Sequence, residues 1–144
     1  MKQYCFFIFF ILFITCSEAE SPEIITPYEA NKEKWENASI LDYSFVFQVS
    51  CYCTEEYISP KAVSVRDGNI VTVNDLAYSE EIHRGVFSIN DLFKEIEKAS
   101  NQNVAVLETT YDSFYGFPTK LYIDRDERIA DEEMRYSISD FKPL

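Results

Sequence analysis

Histidine and positive charge are scarce in this sequence: its 144 residues include one histidine, and 13 lysines and arginines stand against 25 aspartates and glutamates. With one histidine, any catalytic triad or histidine-rich metal site would have to use His83. That residue lies in the charged stretch Glu80-Glu81-Ile82-His83-Arg84 with no motif beside it and reads as a solvated loop residue. The formal net charge of −12 removes the counterion release that drives binding to nucleic acid, and equally disfavours docking on anionic lipid by charge. No apolar run reaches the roughly 20 residues of a membrane-spanning helix. What is present is 47% hydrophobic residues, enough for the core of one folded domain at this length.

The first residues read as an export address. Lys2 supplies a short basic region, Tyr4 to Ile14 form an unbroken apolar run, and polar sequence begins at Ser17; this is the layout of a signal peptide over residues 1–15. Leu12-Phe13-Ile14-Thr15-Cys16 resembles a bacterial lipoprotein signal, in which the cysteine closing the apolar run becomes the acylated first residue. The competing cleavage site is Ser17-Glu18-Ala19, which would release a soluble secreted or periplasmic chain. Residues 16–25, acidic and with Pro22, read as a tether, and residues 26–144 as a single α+β domain.

Within that domain Thr26-Pro27-Tyr28-Glu29 has the capping-box signature and predicts a helix to about Asn37, with Tyr28 and Trp35 on one face. From Leu41 the period changes to two. Leu41, Tyr43, Phe45, Phe47, Val49, Cys51 and Cys53 alternate with mostly polar neighbours, as in a strand buried on one face. A hairpin follows around Asp67-Gly68, with Gly68 as a turn residue. A three-residue connection is expected there, because it keeps Val63, Val65, Val71 and Val73 on one face. Residues 74–87 read as an irregular link. Ser88 and Asp91 then cap a helix whose Ile89, Leu92, Phe93, Ile96 and Ala99 recur at helical spacing. Strands are expected at 104–111, 120–124 and 134–139, with a turn fixed by Gly116 and Pro118 and an acidic connection over 125–133. The order α-β-β-β-α-β-β-β predicts one antiparallel sheet of about six strands with helices on one face.

Two groups of residues could carry chemistry. Cys51 and Cys53 have three readings: a disulfide, packed thiols, or a redox or metal-binding pair. In a regular strand residues i and i+2 lie about 6.6–6.8 Å apart, near the limit for a disulfide, so a bond requires the strand to end or bulge at 51–53. A metal site lacks a second cysteine pair to complete it. The acidic connection offers Asp124, Asp126, Asp131 and Glu132 as oxygen ligands for Ca²⁺, although its spacing is not that of an EF-hand and a loop this acidic reads first as solvated. No other cofactor is expected.

Trp35, Tyr43 leading to Cys51-Tyr52-Cys53, Val65-Arg66-Asp67-Gly68 and Leu92-Phe93 carry a resemblance. So does the block from Tyr111 through Tyr115-Gly116-Phe117-Pro118-Thr119 to Ile123-Asp124 and Asp131-Glu132. Over residues 35 to 141 the chain resembles an uncharacterised family of small bacterial exported proteins and lipoproteins, known as a domain of unknown function. The resemblance implies compartment and boundaries only, since the family has no established activity to carry over. The expectation is a membrane-tethered, non-enzymatic interaction or envelope-accessory module, monomeric, with an envelope component or protein as partner, no nucleic acid, and membrane contact through the lipid anchor alone. The alternatives are a thiol-redox protein using Cys51 and Cys53, and a calcium-binding module. Mass spectrometry of the chain expressed in a bacterial host is expected to find an acylated N-terminal Cys16, and Cys16→Ala to release the protein from the membrane. An unmodified chain starting at Glu20 would sink the lipoprotein reading.

Overall fold

The computed structural model describes residues 26–144; the expected signal peptide, the tether and Cys16 lie outside the described residues. Helix α1 (Pro27–Ala38) starts where its capping box dictates. The Thr26 hydroxyl accepts from the Glu29 amide at 3.2 Å, and the Glu29 carboxylate accepts from the Thr26 amide at 2.8 Å. Strand β1 (Tyr43–Ser50) is followed by a single helical turn, α2 (Glu55–Ile58), and by β2 (Lys61–Arg66), β3 (Asn69–Val73) and β4 (Leu76–Ala77). Helix α3 (Ile89–Asn101) carries its own capping box between Ser88 and Asp91. Strands β5 (Val106–Tyr111), β6 (Pro118–Asp124) and β7 (Met134–Pro143) complete the chain. None of the described helices is long and apolar enough to cross a membrane.

The strands form one open antiparallel sheet in the order β4-β3-β2-β1-β7-β6-β5. The fold is therefore α+β as expected, with corrections of detail: seven strands in place of about six, and three helices in place of two. The added pieces are a two-residue strand within 74–87 and a four-residue helix, both too short to leave a periodic pattern. The last strand inserts beside the first, so two antiparallel meanders meet at the β1–β7 pair.

The hairpin between β2 and β3 also differs from the expectation. Its loop is the two residues Asp67 (φ 47°) and Gly68 (φ 74°), both left-handed, with Arg66 opposite Asn69. Two left-handed residues match the twist of the flanking strands, so this tight turn wins over a three-residue connection. The price in register is absorbed by a bulge: Val65 faces Ile70 and Ser64 faces Thr72, which leaves Val71 as the extra residue, partly exposed, and returns Val73 to the core. A second bulge at Asp140 (φ 52°) shifts β7 against β1 and turns Phe141 onto the same face as Tyr136 and Ile138.

One face of the sheet carries the core. Tyr43, Phe45, Phe47 and Val49 of β1, Val63 and Val65 of β2, and Leu121 and Ile123 of β6 are buried together with Ile89, Leu92, Phe93, Ile96 and Ala99 of α3. Trp35 brings α1 onto this face. Its ring meets Tyr43 at 5.5 Å, Phe141 at 5.9 Å and Phe117 at 6.0 Å, each nearly edge-on, and its Nε1 donates to Asn90 Oδ1 at 2.9 Å. The Tyr43 phenol accepts from the Ile89 amide at 3.3 Å, and burial pushes its pKa up to about 12. Trp35→Ala is expected to cost about 3–5 kcal/mol, read by circular dichroism in a urea titration. A cost below about 1 kcal/mol would show that α1 is held by something else.

Candidate functional site

The strand alternation that fills the core also defines what stands on the other face. Even-numbered residues of β1 and β2 point away from the helices, as do Lys120, Tyr122 and Asp124 of β6, Glu108 and Thr110 of β5, and Arg135, Ser137 and Ser139 of β7. Neither long helix packs there; α2 touches only its edge, where the Ile58 carbonyl accepts from Gln48 Nε2 at 3.3 Å. Cross-strand pairing aligns two rows: Glu108, Tyr122, Arg135 and Ser50 in one, and Thr110, Lys120, Ser137 and Gln48 in the other. Together they floor a concavity of about 520 Å³, within the size range of small-molecule sites.

Its electrostatics differ from those of the rest of the chain. Lys32, Arg66, Lys94, Lys98, Arg125 and Arg128 form ion pairs with acids. Lys34 and Lys61 donate to backbone carbonyls. Among the described residues this leaves Arg84, Lys120, Arg135 and Lys142 without either kind of partner, and the last three stand on the open face. The Arg135 guanidinium instead lies over the Tyr122 ring, 3.9 Å from its centroid, a contact that orients the side chain without neutralising it.

Cys51 and Cys53 border this face. Strand β1 ends at Ser50; the Cys53 amide donates to the Cys51 carbonyl at 2.9 Å, closing a γ-turn over Tyr52. The turn draws the two Cα atoms to 5.3 Å, and the sulfurs are bonded at 2.01 Å. Tyr52 is 84% exposed. Ser50, Cys51 and Tyr52 share a second concavity of about 320 Å³ with Tyr122, Asp131, Glu133 and Arg135.

The four carboxylates considered for calcium do not converge. Asp126 is held by the fork of Arg128, at 2.8 and 2.7 Å, and Glu132 accepts from the Asp126 amide at 2.6 Å. Arg125 turns to α3, donating to Glu95 at 2.7 Å and Gln102 at 2.8 Å. Among the described residues no three His, Cys, Asp or Glu side chains are grouped to hold a metal ion. Asp124 is separate: it lies on the open-face side at the end of β6, 7% exposed, with Oδ1 lacking a hydrogen-bond partner.

The turn residues sit at tight bends of the backbone. Gly116 (φ 81°) lies against α1, where an added Cβ would run into the Asn31 carbonyl oxygen and press on Lys34. Pro118 opens β6 opposite Tyr111, and Gly68 completes the tight hairpin. The aromatic residues around Gly116 belong mostly to the core side: Phe117 is buried on Trp35 and Phe141, Tyr115 packs on Phe141, and Tyr111 stacks on Phe93, leaving Phe114 exposed. His83, read as solvated, is half-buried; its Nδ1 accepts from the Ser79 amide at 3.1 Å and its ring stacks on Tyr78. Sequence reasoning missed Gln48, Glu108, Lys120, Tyr122, Arg135 and Ser137. The signal was available in the polar phase of each strand, but not which strands would lie side by side.

A model described as a family of unknown function (DUF6174) matches residues 27–143. The chain belongs to this family. The DUF6174 match runs from the first residue of α1 to the last of β7, so it spans the whole sheet, the helices and the open face. No curated protein and no solved structure matches the chain.

Asp124 supplies a test of the electrostatics at the end of this face. Burial first, then the Glu132 and Glu133 carboxylates, raise its pKa above the ordinary 3.8. An acid with a raised folded-state pKa favours folding fully below its unfolded pKa and loses that contribution as pH rises through the folded value. Asp124→Asn is therefore expected to melt higher than the parent at about pH 7, with the gain fading toward about pH 3. A gain that persists unchanged in acid would show that charge is not its cause.

Proposed function

We propose that this DUF6174 chain is a non-enzymatic binding module, exported and held at a bacterial membrane through Cys16, whose working surface is the open face of the sheet. The observation that carries the reading is the collection of unpaired cations, Lys120, Arg135 and Lys142, on a polar face that neither long helix covers, in a chain of net charge −12. Cations left free in so acidic a chain are available to a partner, and the backbone groups beneath them are already consumed by the sheet ladder, so side chains do the recognising. The signal-like run ending at Cys16 supports the tether.

A thiol-redox role is the second reading, favoured by the partly exposed Cys51–Cys53 bond beside the same face. Thiols that cycle rapidly with glutathione and alkylate readily on folded protein would support it.

A photo-cross-linking residue at position 137, in the open face, is expected to give discrete adducts in intact cells, and Arg135→Glu is expected to remove them. The same residue at Glu33, exposed on α1, serves as the control. Adducts from position 33 alone, or adducts from 137 indifferent to Arg135→Glu, would contradict the proposal. Because Arg135 is exposed, its replacement should change stability by no more than about 0.5 kcal/mol.

A further inference from the structure

We infer that the 520 Å³ concavity takes a small polyhydroxylated carboxylate, a sugar acid. The inference rests on the open-face reading and adds the ligand class. Lys120 stands opposite Ser137, and Tyr122 opposite Arg135, on adjoining strands, so the two cations occupy neighbouring rows of the same floor. Arg135 is braced by the Tyr122 ring, which leaves the guanidinium edge free to meet a planar carboxylate with paired donors.

Glu108 narrows the choice. It lies across from Tyr122, diagonal to Lys120 and on the other side of Tyr122 from Arg135, and is exposed. A phosphate or a second carboxylate on the ligand would face its charge, and a long polyanion would also meet the net charge of −12. Hydroxyl groups, in contrast, can donate to Glu108. The hydroxyls of Ser50, Thr110 and Ser137 in the same two rows can donate to and accept from the remaining hydroxyls, while Gln48 is engaged with the Ile58 carbonyl. One negative charge among several hydroxyls satisfies both kinds of wall.

The test is an NMR titration of the isotope-labelled full chain with galacturonate, galactose, acetate and glutamyl-glutamate at millimolar concentration. Galacturonate is expected to shift Lys120, Tyr122, Arg135 and Ser137, and to bind at least about tenfold more tightly than the other three probes, the worth of a charge-assisted contact. Arg135→Gln should remove that advantage over galactose. Equal binding of galactose, tighter binding of acetate or glutamyl-glutamate, or no shift with galacturonate would overturn the ligand class while leaving the open-face reading to the cross-linking result. Galacturonate shifts confined to the helix-covered side would overturn both.

Discussion

Trp35 packs edge-on against Tyr43, Phe117 and Phe141, and through them ties α1 to β1, to the start of β6 and to the end of β7. These three rings reach the indole from different parts of the chain. Phe141 is there only because the Asp140 bulge turns it inward, and Phe117 only because the loop before it closes against α1 with Gly116 touching the helix backbone. With α1 fixed here and α3 laid beside it, Tyr28 reaches Phe93 and the apolar side of the sheet is covered. Burial of that many aromatic and aliphatic side chains on one face is the main favourable contribution to folding.

Covering one side settles the character of the other. A strand has two faces, and a register that places Phe45 and Phe47 under the helices must place Val46 and Gln48 outside. The same rule aligns Tyr122 with Arg135 and Lys120 with Ser137. The open face is thus a consequence of the core's register, and its polar surface is compatible with solvent. Its unpaired cations are not required by folding, since surface charges in water contribute little to stability; they are what makes the face a candidate for recognition.

Much of the architecture was legible in local signals. The capping boxes at Thr26 and Ser88 set both long helices, and the odd-numbered apolar residues from Tyr43 to Val49 set the core face of β1. What failed was register beyond one element. With regular pairing, keeping Val71 and Val73 on one face demands a longer turn; the chain uses a tight turn and a bulge, sacrificing Val71. The open face was illegible for a related reason. Tyr122 and Arg135 are 13 positions apart, Ser50 and Arg135 far more, and only the insertion of β7 between β1 and β6 puts them in one row. Residues that looked chemical in isolation, such as Asp126 and Glu132, turned out to be engaged in holding their own loop.

The central claim is that the open face is occupied in the protein's working environment while the helical side is not. Amine-acylation footprinting measures this directly by comparing the full chain in intact cells with the purified full chain. Lys120 reports on the open face; Lys94, on α3 with its side chain 74% exposed, reports on the helical side. The account predicts that Lys120 reacts more slowly in cells than in the purified protein while Lys94 reacts equally in both. Equal reactivity of Lys120 in the two settings, or protection of Lys94 alone, would contradict it.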